Sequence, residues 1–174
     1  MLVLNNYLDS EVFLAIRSVI ETADFPWEKS EILKNSAAYL DPAYNLQNIH
    51  GFFLKNKRLQ YRSEKFDLIR PLIDRLRPLE LIKVKINRTA RQERHVEYGL
   101  HVDTRRAGAT TAIFYINDNN GYTIFEDDEK VASVANRLVL FDSARRHTGA
   151  SCTDADYRYV LNVNMIMAKS AAPG

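Results

Sequence analysis

Hydrophobic residues follow two different periods along the chain, and the change falls near residue 80. In DSEVFLAIRSVIETADF, Val12, Phe13, Ile16, Val19, Ile20 and Ala23 recur at three- and four-residue steps, which marks one face of a helix with Asp9 or Ser10 as its cap. SEKFDLIRPLIDRLRPLE starts a second such pattern at Ser63, with Phe66, Ile69, Ile73 and Leu76 on one face. Pro71 is expected to kink or divide that helix, because it lacks an N–H and crowds the preceding turn. Residues 26–62, rich in Asn, Tyr and Pro, show no period and predict loop with one or two short strands.

Beyond residue 80 the period becomes two. ELIKVKINR alternates Ile82, Val84 and Ile86 against Lys83, Lys85 and Asn87. ATTAIFYIND, YTIFED, RLVLFDS and YRYVLNVNMIM are β-branched or aromatic runs ended by Asp, Asn, Gly or Ser. Helices followed by a series of short strands predict an α+β fold whose second half is a sandwich or barrel.

At 174 residues the chain is long enough for one domain with its own core. One domain over 1–174 is therefore expected: helical and loop support in 1–79, a β core in 80–168, and a frayed tail of small residues in 169–174. Hydrophobic residues make up 46% and charged residues 26%, with no run of 18 apolar residues and no leader-like amino terminus. These features predict a cytoplasmic protein with no membrane partner. The single cysteine, Cys152, cannot form an internal disulfide and is expected to be inert. A net charge of +2 does not announce a nucleic-acid partner, although arginine is dense at Arg88, Arg91 and Arg94, at Arg105 and Arg106, and at Arg145 and Arg146.

Candidate chemistry starts at GLHVDT, where His101 and Asp103 would point the same way along an extended chain. Two ligands rarely hold a transition metal, so a third is required. Of the four histidines, His50 and His95 have loop-like surroundings and are expected to face solvent, whereas His147 follows the strand RLVLFDS. Two imidazoles and one carboxylate on one face of a metal leave about three octahedral positions open, the arrangement of non-haem Fe(II) oxygenases. In YRYVLNVNM, alternation puts Arg158, Val160, Asn162 and Asn164 on one face, opposite Tyr159, Leu161, Val163 and Met165. A guanidinium directed into a barrel is costly unless paired, and its fork suits a carboxylate.

HVD followed by His147 and Arg158 resembles the 2-oxoglutarate- and Fe(II)-dependent oxygenases, particularly their prolyl 4-hydroxylase-like branch, over about residues 80–166. Tyr98 completes a Y-x-x-H-x-D pattern, NGYTIFED is similar to the Gly-x-Thr-x-Phe hairpin of that branch, and NRLVLFDSARRHTG to the strand and turn that carry its distal histidine. The resemblance implies a double-stranded β-helix, or jelly-roll, core with the N-terminal helices packed on one sheet. It implies that His101, Asp103 and His147 bind Fe(II) and that Arg158 pairs with the distal carboxylate of 2-oxoglutarate, with Tyr115 hydrogen-bonding nearby and Asn162 lining the same pocket. Asn87 stands where the preceding strand of that branch often supplies a tyrosine, and is placed with the cosubstrate group. Tyr98 is expected to pack beside the site.

The implied reaction consumes O2 and 2-oxoglutarate, hydroxylates a C–H bond of a peptidyl proline, another side chain or a small molecule, and releases succinate and CO2. Retention of Asp103 favours hydroxylation over halogenation, since halogenating relatives carry a small residue there. Two departures stand out: a longer RTARQERHVE loop, and Tyr159 and Val160 in place of an Arg-x-Ser pattern. Two other readings are a non-catalytic jelly-roll module that binds a metal or ligand, and a nucleic-acid dealkylase of the same superfamily. The arginine pairs beside His101 and His147 would then form a positive rim at the mouth of the site.

Overall fold

In the computed structural model, residues 1–32 and 44–168 are described. The expected frayed tail lies outside them. Helix α1 (Ser10–Ile20) starts after Asp9, whose carbonyl accepts the Phe13 N–H at 2.9 Å and whose side chain makes no cap bond. Phe13, Ile16 and Ile20 are buried. Val19 and Ala23 depart from the expected stripe and are exposed: Val19 lies at its edge, and Ala23 lies beyond the last turn.

Pro71 divides the second helical stretch. A 3-10 turn (Glu64–Ile69) is capped by Ser63, whose hydroxyl accepts the Lys65 N–H at 3.0 Å. Helix α2 (Arg70–Leu76) then begins with Pro71 in its first turn, where a missing N–H costs nothing. Arg77 ends it in the left-handed region at φ 50°.

The strands are β1 (Leu2–Leu4), β2 (Glu28–Glu31), β3 (Leu46–Lys55), β4 (Gln60–Arg62), β5 (Glu80–Ala90), β6 (Ala109–Tyr115), β7 (Tyr122–Phe125), β8 (Lys130–Ala132), β9 (Leu138–Asp142), β10 (His147–Gly149) and β11 (Tyr157–Ile166). They form an eight-stranded antiparallel sheet in the order β1-β9-β6-β11-β5-β3-β2, with β4 on β3, and a smaller sheet β10-β7-β8. The short β2 and β4 fit the expectation of loop with one or two short strands over 26–62, which is corrected by β3, a ten-residue strand paired to β5. A register shift between Gly51 and Phe53 breaks its alternation, which is why the sequence shows no period there.

The two faces of the large sheet bury different material. Val84, Ile86, Phe114, Leu161, Val163 and Met165 form one cluster with Phe13, Ile16, Ile20, Leu72 and Ile73 of the two helices. Each such side chain contributes on the order of 1.5–3 kcal/mol by leaving water. Ile113, Tyr115, Val139, Phe141 and Val160 pack with Phe125 and Val131 of the smaller sheet. This is the jelly-roll arrangement with helices on one sheet, and the inner faces of its two sheets hold the site. Among the described residues, no helix is long and apolar enough to cross a membrane.

Candidate active site

Register across the large sheet writes the site in rows. Val160 and Asn87 pair across β11 and β5, Asn162 pairs with Lys85, and Asn164 pairs with Lys83, so these side chains share the inner face. Asn164 also pairs with Thr111 of β6. GLHVDT is not a strand, as an alternating reading would have it, but a loop with a single bridge to β10. At that bridge His101 and His147 exchange both backbone hydrogen bonds, each 3.0 Å, which sets their side chains next to each other. Gly99, at φ 96°, turns the chain into this contact.

The ring centroids of His101 and His147 are 4.9 Å apart. Asp103 completes the group: its Oδ1 is 3.8 Å from His101 Nε2 and its Oδ2 is 3.7 Å from His147 Nε2, and one ligand atom from each residue lies within 4.8 Å of the others. These separations exceed hydrogen-bond distance but suit ligands that share one ion at roughly 2.0–2.2 Å. His147 Nδ1 lies 3.0 Å from the Arg145 carbonyl and His101 Nδ1 lies 3.3 Å from the Gly99 carbonyl. Carbonyls only accept, so each Nδ1 carries a proton, which leaves each Nε2, turned toward Asp103, as the nitrogen free to ligate a metal. Burial, then the neighbouring His147, holds the His101 pKa below its ordinary value against the opposing pull of Asp103. The neutral, ligating form is thereby favoured.

Asp103 is held from behind by Thr111 and Asn164, of which only Asn164 is expected on this face, from its alternation with Arg158. Its Oδ2 accepts from Thr111 Oγ1 at 2.9 Å and from Asn164 Nδ2 at 3.1 Å. Thr111, its hydroxyl proton thus committed, accepts from Asn164 at 3.0 Å and from Ser143 Oγ at 2.9 Å. Thr111, Ser143 and Asn164 are all buried, so the network is rigid. Phe141, at 4.8 Å, and Phe125, at 5.9 Å, pack against the His147 ring.

Beside the three residues lies a cavity of about 100 Å³, with Arg158 in its wall. Arg158 is 6% exposed. It donates through Nε to Ser133 Oγ at 2.8 Å and through Nη2 to the Tyr122 carbonyl at 3.1 Å and Thr123 Oγ1 at 3.2 Å. No carboxylate among the described residues pairs with it, and burial pushes its pKa down. A Cβ on Gly121 would stand 2.7 Å from Arg158 Cδ, so that glycine is what lets the arginine lie flat. A buried unpaired cation is a standing cost that a bound carboxylate would relieve.

Asn87 and Asn162 also line the cavity. Among the described residues, Asn87 Oδ1 and Thr89 Oγ1 are buried without a hydrogen-bond partner. Tyr98 lines the cavity and is 4% exposed, its pKa raised by burial and drawn back by Arg158. Tyr115 is set apart from the lining: its hydroxyl donates to Thr123 Oγ1 at 2.8 Å, and its ring centroid lies 5.6 Å from the Arg158 guanidinium. It supports the arginine.

The expected positive rim is only half present. Arg106 is tied to Glu80, whose pKa falls to about 2 chiefly through that bond. Arg145 is tied to Asp127 and Glu129 and stacks on Phe125. Arg105 and Arg146 remain on the open side of His101 and Asp103. His50, expected in solvent, is buried in β3 between the Pro26 carbonyl at 3.0 Å and Ser63 Oγ at 2.9 Å. His95 is exposed on its loop, and Cys152 is buried with its thiol pKa raised by burial.

No family profile matches the chain, and no curated protein matches it in sequence. Solved structures do match its fold. A prolyl-4-hydroxylase from Pseudomonas putida superposes with a TM-score of 0.63 at 15% identity, covering 96% of this chain and 92% of that one. An oxidoreductase of the 2OG-Fe(II) oxygenase family from Burkholderia pseudomallei gives 0.62 at 13% identity, covering 94% and 82%. The non-haem α-ketoglutarate-dependent epimerase SnoN from nogalamycin biosynthesis gives 0.65 at 14% identity, covering 96% and 76%. SnoN has also been solved with Fe3+, α-ketoglutarate and nogalamycin RO. The chain thus has the fold of the 2-oxoglutarate- and Fe(II)-dependent oxygenases, prolyl hydroxylases among them.

Proposed function

We propose that this protein is a 2-oxoglutarate- and Fe(II)-dependent dioxygenase that hydroxylates a C–H bond of its substrate. The observation that carries this reading is the convergence of His101, Asp103 and His147 beside a buried guanidinium that has no carboxylate partner among the described residues. Two neutral imidazoles and a carboxylate suit a ferrous ion and leave positions open for a chelating cosubstrate and O2. Their bound chemistry converts 2-oxoglutarate, O2 and a C–H bond into succinate, CO2 and an alcohol.

The chain's own residues bind and orient. Arg158 pairs with the far carboxylate of 2-oxoglutarate, and Ser133 and Thr123 hold the guanidinium in place. Asn87 and Thr89 line the cosubstrate cavity, where the Thr89 hydroxyl can donate to a carboxylate and Asn87 can do so only through its Nδ2, because its Oδ1 accepts. Thr111 and Asn164 fix the rotamer of Asp103, and the Phe125 and Phe141 rings shield His147 from water. Neighbours in this fold include an epimerase as well as hydroxylases, and Asp103, at the position where halogenating relatives carry a small residue, favours hydroxylation over halogenation.

The test is turnover without an added substrate. Purified protein given Fe(II), 2-oxoglutarate and O2 should form succinate slowly, and Asp103→Ala should not. Succinate at an undiminished rate from Asp103→Ala would refute the assignment, and none from the native protein would favour a binding module.

A further inference from the structure

We infer that the substrate of this site is a carboxylic acid with an apolar body, held by Lys83 in a groove floored by Gly51. The inference rests on the oxygenase reading and names what that reading leaves open. A groove of about 410 Å³ runs along β3 and β5 and meets the cavity at His101 and Asp103. Its apolar wall includes Ile32, Ile49, Leu54 and Tyr61, and its charged residues, apart from Asp103, are Lys83, Lys85 and Glu31.

Lys83 stands opposite Asn164 in the β5–β11 register, and Asn164 donates to Asp103. Side chains at directly opposed positions share a face at about 4.5–5.5 Å between Cβ atoms. Lys83 makes no ion pair among the described residues. Once a divalent ion offsets Asp103, the inner end of the groove is cationic. With Lys83 and Lys85 set against Glu31, the groove carries about one net positive charge over an apolar wall, which suits a monoanion: a phosphate would call for several convergent donors or an arginine fork.

Gly51 makes the room. It pairs with Lys85 across β3 and β5 and lines the groove, and a Cβ built on it meets nothing within 4 Å among the described residues. Its φ is not positive, so neither backbone conformation nor packing demands glycine. Any larger side chain there would project into the groove beside Lys85.

The test uses hexanoate, hexanamide and hexyl phosphate on protein loaded with Mn(II) and 2-oxoglutarate. Affinity is read by calorimetry, and proximity by Mn(II) broadening of the probe's proton resonances. Hexanoate should bind about tenfold or more tighter than hexanamide, the ratio of one charge-assisted contact, with its resonances broadened. Lys83→Met should abolish the preference, and Gly51→Leu should abolish binding of both.

Equal affinities, a preference surviving Lys83→Met, binding surviving Gly51→Leu, tighter binding of hexyl phosphate, or no binding at millimolar concentration would each overturn the inference. Titrating Mn(II) and 2-oxoglutarate into each protein first separates this outcome from failure of the oxygenase reading. Without metal binding, Asp103 stays uncompensated, so the comparison is made on Asp103→Asn apoprotein, where a hexanoate-to-hexanamide ratio near one overturns the inference.

Discussion

Replacing Arg158 by methionine tests the cosubstrate pocket where its energetics are most lopsided. The guanidinium is 6% exposed, spends its Nε and Nη2 donors on Ser133, Tyr122 and Thr123, and has no carboxylate partner among the described residues. Without ligand, the substitution removes an unpaired buried charge but strands acceptors, each worth about 1–3 kcal/mol, so the apoprotein should change little in stability. With 2-oxoglutarate, the variant leaves a carboxylate facing an apolar side chain. Truncating one partner of a buried charged pair costs about 2–5 kcal/mol, which is a loss of roughly 30-fold or more in affinity. Calorimetry with 2-oxoglutarate on Zn(II)-loaded protein reads that loss. Thermal denaturation gives a second reading, since ligand at a hundred times the native Kd should stabilise the native protein by about 2.7 kcal/mol and the variant by about 0.9 kcal/mol at a roughly 30-fold loss, and by less at a larger one. Arg158→Lys should recover only part of the affinity, having charge without a fork. Native-like affinity in Arg158→Met would refute the pocket assignment.

Asn164→Leu removes a donor to Asp103 and to Thr111 at nearly constant volume, and should lower metal affinity by about 10- to 100-fold, measured by competition with a chelating dye. An unchanged affinity would show that Asp103 needs no support from β11. The pKa of His101 is held below its ordinary 6.5, so the unfolded chain binds the proton more readily. Its contribution to apoprotein stability is therefore fully present above 6.5 and is lost as pH falls through the lowered value. Urea denaturation across that window should show it, and His101→Gln should flatten the slope; an equal slope in both proteins would deny it.

Much of this was legible in the sequence, and the parts that were not have physical reasons. Strands β5 and β11 alternate because one face packs on the helices and the other faces the cavity, whereas β6 and β9 are apolar runs because both of their faces are buried. That alternation also put Arg158, Val160, Asn162 and Asn164 on the cavity side, where they are found. Strand β3 was hidden by the irregularity at Gly51 and by polar Gln47, Asn48 and His50, two of which are buried. The Thr111–Ser143–Asn164 network could not be read, because common residue types on β6, after β9 and on β11 meet only through strand register. The spent charges of Arg106 and Arg145 were invisible for a related reason: Glu80 lies 26 positions away and Asp127 lies 18.

The central claim is that His101, Asp103 and His147 hold one ferrous ion to which 2-oxoglutarate chelates while Arg158 holds its far end. Anaerobic addition of Fe(II) and 2-oxoglutarate to the apoprotein, followed by visible absorption, tests this most directly. A weak charge-transfer band that saturates at one equivalent of iron, and that is absent from His147→Ala, is the expected result. A band of full strength in His147→Ala, or no band in the native protein, would contradict it.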